Sequence, residues 1–199
     1  MSVIIAYRKN NVVYMGTDTR ITDNGFKTNE LCECNYKICL TDDDILVGIT
    51  TADRVLRQTI SIFASKVFTL NKNGYLTKKH IVTAVIPELL ELLAYKDLLV
   101  RKDGKLPKMN ASILLAHKGN LYEICSGFQV FRYRDFQAIG RVSDFGHSPL
   151  LNAKKKERPN TILVKALDII AKHNCLVGRP YVLIDTKKLK YTLVGGDKE

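Results

Sequence analysis

The sequence predicts an α+β fold of four layers, an αββα sandwich in which two mainly antiparallel sheets lie between paired helices. Two observations carry this prediction. Short alternating apolar runs are joined by tight-turn residues, so the strands come as hairpins. Helical periodicity arrives in two separate pairs, not after every strand, which disfavours a parallel βαβ sheet.

The elements follow in order. Ser2 to Arg8 alternates and is β-branched, Asn10-Asn11 is a hairpin turn pair, and Val12 to Asp18 returns as the second strand. Residues 21–35 are polar and read as a loop with a short strand. Tyr36 to Leu40 and Ile45 to Thr50 form a second hairpin around Thr41-Asp42-Asp43-Asp44. Ala52, Val55, Leu56, Ile60, Phe63, Ala64 and Val67 recur at steps of three and four, the stripe of an amphipathic helix. Asn71 to Gly74 ends it, and Thr77 caps a second helix carrying Val82, Val85, Ile86, Leu89, Leu90 and Leu93. Pro87 inside that helix predicts a kink or irregularity.

Lys102-Asp103-Gly104 reads as a turn. Ala111 to Ala116 and Leu121 to Ser126 pair around Lys118-Gly119-Asn120, and Arg134 to Ile139 is a further strand. A helix is expected from about 144 to 156, with Pro149 limiting its start. Pro159 and Asn160 open the last helix, with Leu163, Ala166, Leu167 and Ile170 on one face. Tyr181 to Ile184 and Leu189 to Leu193 close the chain as a hairpin. No linker or low-complexity segment interrupts the 199 residues, so one domain, residues 1–199, is expected.

Composition narrows the function classes. Hydrophobic residues make up 46% and charged residues 26%, which is globular and argues against disorder. The net charge of +11 raises a nucleic-acid-binding alternative. Phe131, Tyr133 and Phe136 beside Arg132 and Arg134 come nearest to the aromatic-basic face that reading needs. The basic runs Lys154-Lys155-Lys156 and Lys187-Lys188 stand apart from aromatics, so a solvated surface is the favoured reading.

No run approaches the roughly 20 apolar residues of a membrane helix, and no leading basic segment marks a signal peptide. A cytoplasmic protein without a membrane partner is the expectation. Five cysteines, Cys32, Cys34, Cys39, Cys125 and Cys175, do not form a disulfide framework, and no second pair completes a zinc spacing. The four histidines fall at no ligand or nucleophile spacing, and the Gly-x-Ser-x-Gly elbow is absent.

Chemistry concentrates at the amino terminus. If Met1 is removed, Ser2 places a hydroxyl beside a free α-amine, whose pKa of roughly 7.7–8.0 suits a base near neutrality. A hydroxyl with its own amine as base is a self-contained nucleophile. It needs a cation to favour the alkoxide-like state and an acid to orient that cation. Lys37 and Asp18, at strand ends that hairpin pairing brings toward Ser2, supply them.

The run from Ser2 through Gly16-Thr-Asp18-Thr-Arg20 resembles the start of proteasome β-type subunits and of HslV, which are N-terminal nucleophile hydrolases. The resemblance puts the catalytic aspartate on Asp18 and the arginine of the same motif on Arg20. It puts the catalytic lysine on Lys37. Ile45 to Asp53 looks like the strand-to-helix junction lining the family's substrate cleft, and Phe136 to Gly140 like the strand before the second helix pair. The resemblance is collinear along essentially the whole chain. It implies peptide-bond hydrolysis without metal or organic cofactor, a homo-oligomeric ring, a polypeptide substrate and an AAA+ ATPase partner.

Departures from the pattern are as specific. Serine replaces the usual threonine nucleophile. Arg141 stands where the family has a serine, and Asn174 and Val177 replace the aspartate and serine of its Asp-x-x-Ser-Gly pattern. Gly48 falls one position before the family's oxyanion glycine, where Ile49 or Thr50 stands. These departures support a second reading, a catalytically inactive ring-forming or scaffold relative of the same fold.

Overall fold

The computed structural model describes residues 3–23, 26–28, 37–101, 105–154 and 156–195. The chain opens with β1 (Val3–Lys9) and β2 (Val12–Asp18), paired in register from Ile4 opposite Thr17 to Lys9 opposite Val12. Asn10 and Asn11 take φ of 50° and 60°, the left-handed pair that a two-residue hairpin turn requires and that asparagine tolerates. Strands β3 (Ile21–Asp23) and β4 (Phe26–Thr28) form a small ribbon where a loop with one short strand was expected.

Strands β5 (Ile38–Leu40) and β6 (Leu46–Thr51) make the second hairpin. Helices α1 (Arg54–Ile62) and α2 (Ala64–Val67) follow, where one continuous helix was expected. Asp53 caps α1, its side chain accepting from the Leu56 amide at 3.0 Å. The second helical stretch is α3 (Lys78–His80), a π segment over Ile81–Val85, and α4 (Ile86–Tyr95). The irregularity expected from Pro87 thus falls in the turn before it, because proline at the start of α4 removes a donor the regular ladder would need.

After the short pair β7 (Leu99–Val100) and β8 (Lys108–Met109) come β9 (Ala111–His117) and β10 (Asn120–Ile124). The turn expected at Lys102-Asp103-Gly104 lies outside the described residues. The strand expected over 134–139 is β12 (Phe136–Gly140), and a further strand that the sequence does not announce, β11 (Val130–Tyr133), precedes it. They belong to different sheets, and the chain crosses at Arg134-Asp135, which carries neither glycine nor proline to signal the bend. Helices α5 (Asp144–Leu151) and α6 (Pro159–His173) precede β13 (Tyr181–Asp185) and β14 (Thr192–Val194).

One sheet runs β12-β1-β2-β13-β14 and the other β11-β10-β9-β6-β5, with antiparallel pairing throughout both. Strand alternation assigns the layers. Val3 and Ile5 pack against Leu163, Ala166 and Ile170 of α6. Ile4 and Ala6 face the other way and meet Ile38, Leu46 and Leu114 between the sheets. The far face of the second sheet packs on α1 to α4 through Ile49, Leu56, Ile60, Val85 and Leu89. Four layers result, helices outside and sheets inside, as the order of elements predicted.

Helical faces differ in detail from their periodic reading. Val55 is exposed and Arg57 is buried on α1, because the stripe that meets the sheet runs through 56, 57 and 60. Val82 is likewise exposed, since the π turn rephases the residues before α4. The aromatic-basic cluster does not form one face. Phe136 packs toward α6, the Tyr133 hydroxyl donates to Glu123 at 2.8 Å, and Phe131 alone of the three is exposed.

At one end the two sheets meet turn to turn. Lys118 and Gly119 close the β9–β10 hairpin with φ of 42° and 76°. A Cβ on Gly119 would lie 2.5 Å from the Asn11 carbonyl oxygen of the first hairpin. Gly119→Ala is therefore expected to cost about 1–3 kcal/mol, read as a lowered urea midpoint with unchanged slope.

Candidate active site

Strand β2 ends at Asp18, and Lys37 lies immediately before β5 in the other sheet, so the space between the sheets brings them together. Lys37 Nζ donates to Asp18 Oδ1 at 2.6 Å, with the two side chains 2% and 0% exposed. Burial is the largest influence on both groups. It pushes the Asp18 carboxyl up and the Lys37 ammonium down, while their mutual attraction and hydrogen bond oppose it. Asp18 Oδ2 is buried without a hydrogen-bond partner among the described residues. Such an oxygen is costly unless a donor reaches it.

A cleft of about 530 Å³ is lined by Thr50, Ser112, Gly140, Arg141 and Leu176, and the backbone connects it to Lys37 and to the start of β1. The Ile49 amide donates to the Lys37 carbonyl at 2.8 Å, and Thr50, the next residue, lines the cleft. Val3 stands opposite Gly140, which also lines it. The buried Thr17 hydroxyl donates to the Val3 carbonyl at 2.7 Å and holds the start of β1 in place. Ser2 lies outside the described residues.

The remaining expected residues fall into two groups. Arg20 reaches the loop after α6, where Nη1 donates to the carbonyls of Cys175 at 3.2 Å and Val177 at 3.4 Å. Gly178 makes room for it, since a Cβ there would lie 2.3 Å from Arg20 Cζ. Asn174 accepts from the Leu176 amide at 2.8 Å, and Leu176 lines the cleft. Val177 is buried. Thus Arg20, Asn174, Val177 and Gly178 assemble one cleft-side loop, although two of its residues depart from the expected pattern. Arg141 lines the cleft directly, and Thr50 donates to the Ser112 carbonyl at 3.3 Å at its edge. Gly48 is placed elsewhere. A Cβ on it would meet Ile4 and Leu114 between the sheets.

No protein-family model matches the chain, and no curated protein matches it. Solved structures do. BPH from Thiobacillus denitrificans, a bacterial proteasome homologue, superposes with a TM-score of 0.74 at 18% identity, covering 94% of this chain and 98% of its own. Anbu (ancestral beta-subunit) from Yersinia bercovieri gives 0.69 at 13% identity, with 98% and 88% covered. HslV from Trypanosoma brucei gives 0.61 at 15% identity, with 92% and 98% covered. The chain has the proteasome-like N-terminal nucleophile hydrolase fold.

Within this proteasome-like fold, two neighbours of the pair escaped the sequence reading. Thr17 was passed over as a strand residue; its position beside Asp18 was the only signal. Arg57 was readable as a charge on the apolar stripe of α1, one turn before Ile60. It is 7% exposed and within electrostatic reach of the pair. Its charge pushes the Lys37 ammonium down, and Asp18 in turn holds the Arg57 guanidinium up against burial and Arg54. Cys39 on β5 is a free thiol that burial pushes up to about 11, while Cys32 and Cys34 lie outside the described residues. Among the described residues no helix is long and apolar enough to cross a membrane.

Proposed function

We propose that this protein hydrolyses peptide bonds with Ser2 as nucleophile after removal of Met1. The buried Lys37–Asp18 pair carries the reading: the backbone connects it to the cleft and to the start of β1, and Asp18 Oδ2 still offers an acceptor. Ser2 Oγ attacks the scissile carbonyl carbon and passes its proton to the Ser2 α-amine. The tetrahedral intermediate then expels the amine product, which takes that proton. Water attacks the resulting ester, releases the acid product and restores the hydroxyl. Lys37 lowers the hydroxyl pKa by its charge, and Asp18 orients and balances Lys37. By its fold the chain is further proposed to assemble as a homo-oligomeric ring in the cytoplasm, served by an AAA+ ATPase.

Intact and native mass measurements test the removal of Met1 and the oligomer. The mature chain should begin at Ser2, and its native mass should be several times the chain mass, a monomer ruling out the ring. Epoxomicin, bound in a second Thiobacillus denitrificans BPH structure, is the probe for the nucleophile. It should add one mole per chain in the mature protein and none in Ser2→Ala. A mature chain without Met1 that takes up no probe would move the assignment to the inactive scaffold relative, for which Arg141, Asn174 and Val177 speak.

The rate of labelling should also depend on pH. Its acid limb reports the Ser2 amine becoming neutral, near the ordinary α-amine value of roughly 7.7–8.0. Burial lowers Lys37, so its ammonium is lost at a pH below the usual lysine value of 10.5. The alkaline limb is therefore expected below pH 10.5. A limb at or above that value would remove Lys37 from the role.

A further inference from the structure

Among its described lining residues the cleft carries positive charge alone. Among the described lining residues Arg141 is the only charged side chain, and Thr50, Thr51, Asn110, Ser112 and Ser126 supply neutral polar groups around it. Lys37 and Arg57 are two buried cations near the cleft, with Asp18 paired to Lys37. The Lys37 carbonyl accepts from Ile49, next to the lining Thr50, and Arg57 lies on the helix that Asp53 caps after Ala52. The segment Thr51-Ala52 forms the cleft wall and runs directly into the helix that carries Arg57. A concave site with low-dielectric walls focuses such a field toward a ligand.

We propose that this cleft selects peptides carrying an aspartate or glutamate side chain beside the scissile bond, with Arg141 as its direct partner and the buried cation surplus behind it. The proposal rests on the reading of the protein as a peptidase and names its substrate class. A guanidinium suits the task because its planar fork matches a carboxylate with two parallel N–H donors. Arg57 acts through the field and not by contact. The neutral hydroxyl and amide groups of the wall offer hydrogen bonds to an extended peptide without competing for the carboxylate.

Two fluorescent peptides that differ only in glutamate against glutamine at that position test the proposal, with binding followed by anisotropy and cleavage by fluorescence on the full mature chain. The glutamate peptide should bind about tenfold more tightly, the scale of one charge-assisted hydrogen bond, and the advantage should shrink as salt rises. Arg141→Gln should bring the ratio toward one. Arg141→Glu should turn the preference to a lysine-bearing peptide. Arg57→Met should reduce the ratio only in part. Equal binding of the two peptides, no binding of either, or a preference that survives Arg141→Gln overturns the proposal. Cleavage of both peptides at equal efficiency defeats the selectivity alone. Arg141-dependent glutamate binding without cleavage or probe uptake defeats the peptidase reading alone.

Discussion

Lys37→Ala is expected to lower the folding free energy by about 3–5 kcal/mol and to abolish probe uptake at Ser2. The size follows from what is left behind. Asp18 is fully buried, and Lys37 Nζ at 2.6 Å is its one ion-pair partner among the described residues. Removing the ammonium strands a carboxylate in a low-dielectric layer between two sheets, and that carboxylate must then either stay ionised at high cost or take up a proton. Replacing both groups, as Asp18→Leu with Lys37→Met, removes the stranded charge. The double variant should be close to the parent in stability, or above it, while remaining inactive. Urea unfolding of the parent, Lys37→Ala and the double variant reads the stability pattern, and epoxomicin uptake reads the activity pattern. A Lys37→Ala protein as stable as the parent would show that the two groups are not energetically coupled.

Ile4→Ala is expected to cost about 2–5 kcal/mol, because a fully buried side chain leaves a cavity where the sheets meet. Its partner across that space is Gly48, where an added Cβ would lie 3.1 Å from Ile4 Cγ2 and 3.2 Å from Cδ1. The absence of a side chain at 48 lets the two sheets approach over the isoleucine. Gly48→Ala alone should thus be mildly destabilising, since Ile4 must shift by a few tenths of an ångström. In the Ile4→Ala background the same methyl enters the cavity and should recover part of the loss. Strict additivity of the two changes, measured in one denaturation cycle, would mean that the side chains do not share this space. Gly48 thus faces Ile4 and Leu114 between the sheets and does not line the cleft.

Much of this was legible along the chain because it is local. Asn10-Asn11 and Lys118-Gly119-Asn120 announce hairpin turns, and alternation along Val3 to Lys9 sets which residues of β1 face α6 and which face the second sheet. The α6 stripe of Leu163, Ala166, Leu167 and Ile170 is buried as its spacing predicts. Where the reading slipped, a local signal was missing. The crossing at Arg134-Asp135 has no turn residue, so the sequence reading carries one strand through it and gives none to 130–133. On α1 the apolar Val55 outweighed Arg57 in the pattern, although a rotation of one residue step puts the arginine inside.

The sequence by itself determined the hairpins, the paired helices and hence the layered fold, since each depends on neighbours within a few residues and on the periods 2 and 3.6. It also brought Asp18 and Lys37 into view by their type and their place at strand ends. Only the tertiary structure decided that these two meet at 2.6 Å, that Asp18 Oδ2 remains open, and that Arg57 joins them from a helix. The same packing brought Arg141 to the cleft wall. The physical reason is that burial and charge partnership belong to side chains from different layers. Their distances are set by how the sheets and helices stack, and no spacing along the chain encodes that stacking.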